Sequence, residues 1–158
     1  MKRRLNLMQV APGAFQALRG LEEYLAKGAI EPSLLELVKM RASQINGCAF
    51  CLDMHSKDAR AAGETEQRLY LLDAWRETDF YSPRERAALA WTESLTRISE
   101  THAPDAAYEE LLAHFSEKEI ADLTVAIVAI NGWNRVAIGL RAPAGTYQPR
   151  MAAVNSRA

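Results

Sequence analysis

The chain has 158 residues, which suits one domain with a sizeable buried core. Its 19 basic residues against 20 acidic ones leave a net charge of −1, which excludes a broad electrostatic footprint for nucleic acid or an anionic membrane. Only two cysteines are present, too few for a disulfide scaffold.

In chain order, Met1-Lys2-Arg3-Arg4 resembles the basic start of a signal peptide, but Asn6, Gln9 and Pro12 keep a clean apolar stretch from forming after it. No run approaches the roughly 18 apolar residues of a membrane span, so a cytoplasmic protein without a membrane partner is expected. No segment sustains strand-type alternation, and the expected class is all-α, with six to seven helices. The first covers Gly13 to Ala26, ended by Gly28, and the second starts at Pro32 and runs to about Ile45. Asn46-Gly47 is a turn signal. A third helix spans about Cys48 to Ala62, with Gly63 as its cap, and a fourth spans Glu64 to Trp75. Ser82 and Glu85 form a capping box opening a fifth helix to about Ile98; Asp105 to Phe115 is a sixth. Ser116 and Glu119 form a second box, opening a long seventh helix to about Leu140. This is one domain over residues 1–158, with its core at about 12–140 and an extended C-terminal arm over 141–158.

Both cysteines stand in Asn46-Gly47-Cys48-Ala49-Phe50-Cys51-Leu52-Asp53-Met54-His55. In a reducing compartment a C-x-x-C is catalytic or metal-binding more often than structural. At ~100° per residue, Cys48, Cys51, Leu52, His55, Ala59 and Ala62 share one helix face, and Asp53, Lys57 and Arg60 lie opposite. His55 follows Cys51 by one turn, and a Cys48–Cys51 disulfide is geometrically possible. Folding the second helix back at Asn46-Gly47 puts Glu36 and His55 at about the same height. A carboxylate there would orient the imidazole and raise its basicity. The expected order across the site is Glu36, His55, Cys51, Cys48. The nucleophile is contested on these grounds alone. Proximity to the helix start favours a Cys48 thiolate, whereas the neighbouring base favours Cys51.

The spacing Glu36-x11-Cys48-x2-Cys51-x3-His55 resembles the core motif of the alkylhydroperoxidase AhpD-like proteins, within the carboxymuconolactone decarboxylase superfamily. Ser43, Asn46 and Met54 support the resemblance, as do Ala90-Trp91-Thr92-Glu93 and Asn131-Gly132-Trp133-Asn134-Arg135. It covers about Pro12 to Leu140. It implies an AhpD-like helical bundle that assembles as a homo-oligomer, a trimer or hexamer. It implies a thiol-dependent peroxidase reducing organic hydroperoxides, with Cys51 peroxidatic, Cys48 resolving, and Glu36 and His55 relaying protons. The reductant would be a dithiol, lipoamide-type or a thioredoxin-like protein, and no metal, haem, flavin or other cofactor is needed. Phe50 stands where some peroxidase members carry a histidine. The decarboxylase branch lacks the cysteine pair, which disfavours lactone decarboxylation.

Three other readings stand beside this one: a non-catalytic redox sensor, a general disulfide oxidoreductase, and a metal-dependent hydrolase or lyase with zinc on Cys48, Cys51 and His55. His102 and His114 are expected at helix ends, and Trp75, Trp91 and Trp133 in the core. Asn131 and Asn134 are expected in structural or subunit contacts, and Phe80 and Tyr81 are candidates for a pocket mouth.

Overall fold

The computed structural model describes residues 2–149, and among these there is no β-strand. The order is α1 (Leu7–Val10), α2 (Pro12–Leu25), α3 (Pro32–Asn46), α4 (Ala49–Ala61), α5 (Glu66–Leu71), a 3₁₀ helix (Leu72–Glu77), α6 (Pro83–Thr96), α7 (Ile98–Thr101), α8 (Asp105–Leu112) and α9 (Glu117–Leu140). Six of the expected helices appear as α2, α3, α4, α6, α8 and α9, the seventh is divided between α5 and the 3₁₀ helix, and the additions are the single turns α1 and α7.

Local chemistry sets most boundaries. Pro12, Pro32 and Pro83 occupy the first turns of α2, α3 and α6, where no amide donor is needed. Both capping boxes form: Ser82 and Ser116 accept from the backbone of Glu85 and Glu119, whose carboxylates return the bond. Gly63, at φ 99°, follows the end of α4 in the left-handed region.

The helix expected over Glu64–Trp75 is instead α5 plus the 3₁₀ helix, which departs from helical geometry at Ala74. Adjacent residues on a regular α-helix diverge by ~100°. The break lets Trp75 Nε1–H (2.9 Å) and Arg76 (2.5 Å) both reach the Glu93 carboxylate on α6. Arg41 Nε of α3 donates to the same carboxylate at 2.8 Å, and the Arg41 guanidinium also pairs with Asp73. Burial alone would raise the Glu93 pKa, but the donors Trp75, Arg76 and Arg41 outweigh it and hold the group below the ordinary range. The helix expected to reach Ile98 ends at Thr96, because Arg97 leaves helical geometry. The one expected to reach Phe115 ends at Leu112, and Phe115 turns into the core.

α3 is the hub, packed on α4, α6 and α9. Leu37 and Val38 are fully buried there, about 100° apart around the helix, and enter different cores: Val38 joins the core with α6, α8 and α9, and Leu37 the core beneath α5 and the 3₁₀ helix. Each such side chain contributes about 1.5–3 kcal/mol. By length and composition α9 is apolar enough to cross a membrane, which corrects the expectation that no stretch would be. In this fold it packs against α2, α3, α4, α6 and α8 as a core helix.

After α9 the chain runs as an irregular arm across α4. The Gly145 amide donates to Asp53 (2.9 Å), Lys57 donates to the Tyr147 carbonyl (3.0 Å), and the Tyr147 hydroxyl donates to Asp58 (2.7 Å). The rest of the expected arm, 150–158, lies outside the described residues.

Candidate active site

The site is built around the reversal between α3 and α4. Gly47 adopts φ 68°, ψ 36°, left-handed values that cost a side-chain-bearing residue energy. The Cys48 amide donates back to the Ser43 carbonyl at 3.0 Å, closing the end of α3. Behind the turn, the Asn46 amide donates to Asn131 (3.0 Å) and Asn134 (2.8 Å) on α9, and Asn134 donates to Ser43 Oγ at 3.0 Å. Asn134 and Ser43 are fully buried, and this network satisfies both. The two asparagines therefore brace the thiol turn, which fulfils the structural role expected of them.

Cys48 is the N-cap of α4, with extended backbone, and Cys51 lies in the first helical turn. Their sulfurs are paired as a disulfide with a Cα–Cα distance of 5.4 Å. Each residue is 1% exposed. The exposed amide dipoles of the helix start favour a negative sulfur there once the pair is reduced.

Glu36 and His55 meet as the antiparallel packing of α3 and α4 required. His55 Nδ1 lies 2.8 Å from Glu36 Oε2. With a carboxylate as the partner only the ring can donate, so a neutral imidazole in this contact would carry its proton on Nδ1 and turn the Nε2 lone pair away from Glu36. His55 is 6% exposed and Glu36 is half-buried. The helix face runs as expected through Ala59, but Ala62, just past the end of α4, is exposed.

A cavity of about 470 Å³ opens beside these groups. Cys51, His55 and Glu36 line it, whereas Cys48 does not. Most of its wall is apolar, with Phe50 and Met54 from α4, Phe15 from α2, and Ile130, Trp133 and Leu140 from α9, while the charged Arg3, Arg19, Glu22, Lys39 and Asp58 also line it. Phe15 and Trp133 meet edge to face with centroids 5.5 Å apart. Phe50 thus presents an apolar ring to the cavity. Trp75 and Trp91 are core residues, but Trp133 lines the cavity, so its expected core placement is corrected. Tyr81 is buried with its hydroxyl on the Arg68 carbonyl, and neither it nor Phe80 lines the cavity. His102 is exposed at the end of α7, and His114 is half-buried beyond α8.

Two features escaped the sequence reading. Leu5, Leu7 and Met8 of the N-terminal segment line the cavity, on a stretch with no periodicity to reveal it. Asp58 also lines it, one turn after His55. The i, i+3 spacing was the available sign.

Residues 12–94 match the sequence profile of the carboxymuconolactone decarboxylase family. The uncharacterized protein YdfG of Bacillus subtilis (strain 168) is 44% identical over 140 residues, covering 89% of this chain and 95% of YdfG. A crystal structure from Agrobacterium tumefaciens, of a protein of unknown function provisionally described as the antioxidant defence protein AhpD, is 48% identical. It superposes with a TM-score of 0.89 over 92% of this chain and 100% of its own. The debrominase Bmp8 shares the fold at a TM-score of 0.79, with 23% identity over 88% of this chain and 75% of its own. The all-α bundle is therefore of the AhpD-like type.

Proposed function

This chain belongs to the carboxymuconolactone decarboxylase family, and from that premise we propose that it is a thiol-dependent peroxidase reducing organic hydroperoxides. The observation that carries the reading is the asymmetry of the cysteine pair. Cys51 borders a mostly apolar cavity together with an imidazole held by a carboxylate, while its partner Cys48 is off the cavity wall.

In the reduced protein His55 Nε2 accepts the Cys51 proton, and Glu36 stabilises the imidazolium. The thiolate attacks the terminal oxygen of the hydroperoxide; the S–O bond forms as the O–O bond breaks. The departing alkoxide takes the proton from His55 and leaves as the alcohol. Cys48 then attacks the Cys51 sulfenic acid, forming the disulfide and releasing water, before further oxidation occurs. An external dithiol, lipoamide-type or on a thioredoxin-like protein, restores both thiols by exchange and becomes a disulfide itself. No cofactor takes part. The same reading places the protein in the cytoplasm as a homo-oligomer, trimer or hexamer; the exposed Val128 and Ile138 on α9 offer apolar surface for assembly.

The test is consumption of cumene hydroperoxide with dihydrolipoamide as reductant, for wild type, Cys51→Ser and Cys48→Ser. Many turnovers in wild type, lost in both variants, are expected, with a trappable sulfenic acid only in Cys48→Ser. A single oxidation without turnover would replace the enzyme by a redox sensor or a disulfide oxidoreductase acting on another protein.

A further inference from the structure

Beyond the thiol chemistry, we propose that Glu36, His55 and Asp58 form a binding site for a divalent transition-metal ion of the zinc type. The three residues come from the two helices that frame the thiol turn, and one ligating atom from each lies within 4.8 Å of the others. Charge is the second argument. Glu36 and Asp58 are half-buried carboxylates, and among the described residues neither pairs with a lysine or arginine. Lys39, which lines the same cavity, is engaged by Glu22 at 2.7 Å, and Lys57 by Asp53 at 2.8 Å. Arg3, Arg19 and Lys39 line the same cavity, but among the described residues none makes an ion pair with either carboxylate, and an added cation would take up that charge.

The donor set selects the ion. An imidazole nitrogen with two carboxylate oxygens suits zinc and its neighbours, whereas magnesium and calcium prefer six or more oxygens. Three protein ligands leave positions for water, and the site borders two openings through which water can reach it. Glu36 and Asp58 border both the thiol cavity and a second groove of about 710 Å³ between α2, α3 and α4. Ligands on a tetrahedral zinc ion with bonds of ~2.1 Å lie about 3.4 Å apart. A pair at the 4.8 Å limit must close by about 1.4 Å, a movement that side-chain rotation of the two carboxylates has to supply. Asp58 is already oriented from outside by the Tyr147 hydroxyl at 2.7 and 2.9 Å, the kind of supporting bond that fixes a ligating carboxylate. An ion here would occupy the Glu36–His55 pair, so for a thiol peroxidase it would be an inhibitor and not a cofactor.

The experiment is calorimetric titration of Zn²⁺ into the oxidised protein, whose disulfide withholds both sulfurs, with Co²⁺ absorption as the spectroscopic counterpart. One ion per chain is expected, bound about tenfold or more weakly by Asp58→Asn, undetectably by His55→Asn, and unchanged in a Cys48→Ser/Cys51→Ser double variant. In wild type alone, Zn²⁺ should protect His55 from diethyl pyrocarbonate. No binding to oxidised wild type, equal binding by Asp58→Asn, or an unprotected His55 would each overturn the site. So would binding confined to reduced protein and lost with the cysteines.

Discussion

In the proposed mechanism Glu36 acts on the thiol through His55, so its charge matters more than its shape. In Glu36→Gln the side chain keeps an acceptor for Nδ1–H but no longer stabilises an imidazolium. The expected outcome is a loss of about 10²-fold in kcat/KM for hydroperoxide reduction, read by steady-state kinetics. Away from the cavity, Glu93 is the anion on which Arg41, Arg76 and Trp75 converge. Removing it leaves the buried Arg41 guanidinium with Asp73 as its remaining carboxylate partner and the Trp75 indole N–H without its acceptor, and Glu93→Ala should lose about 1–3 kcal/mol in urea denaturation. Asp122 on α9 works similarly for the loop after α2. Lys118 foremost, then the Ala29 amide and the Tyr24 hydroxyl, lower its pKa from 3.8 to about 2. A carboxyl group with a depressed folded-state pKa stabilises the fold above its unfolded value and loses that contribution as pH falls through the folded one. Asp122→Ala should therefore cost about 1–3 kcal/mol at neutral pH. The gap to wild type should shrink between about pH 4 and pH 2, as followed by denaturation at stepped pH.

The reversal from α3 to α4 is the element on which the site depends. Gly47 has open space where a Cβ would go, so the cost of a side chain there is purely conformational. Gly47→Ala is expected to lose about 1–2 kcal/mol, measured by chemical denaturation. It should also slow disulfide formation, because Cys48 is set by the residue before it. The start signals of these helices were readable, since first-turn prolines and capping boxes act within four residues of sequence. The helix ends were less so. The break at Ala74 depends on Glu93, 19 positions away on another helix, and nothing local announces it.

Across the whole molecule, the buried thiol pair is reached through the cavity, and the N-terminal segment closes part of that cavity. The segment is held to the end of α9 by Arg4, whose amide donates to the Leu140 carbonyl and whose guanidinium donates to the Gly139 carbonyl, both at 3.0 Å. α1 buries no residue, so displacing the segment costs little. Arg4→Ala removes one exposed hydrogen bond and should raise the rate of Cys51 alkylation in a Cys48→Ser background by about 2- to 10-fold. An unchanged rate would place the entry elsewhere.

The sequence by itself determined the helical class, the thiol pair and the Glu36–His55 meeting. These follow from periodicity, from fixed offsets on one helix, and from a single tight turn between two antiparallel helices. Only the tertiary structure decided which cysteine faces the cavity, that Trp133 is a wall, and that the N-terminal segment lies over the site. It alone also set Asp58 beside the Glu36–His55 pair under Tyr147. Those relations join residues up to about 135 positions apart, and they arise from how separate amphipathic elements pack, which no local pattern encodes.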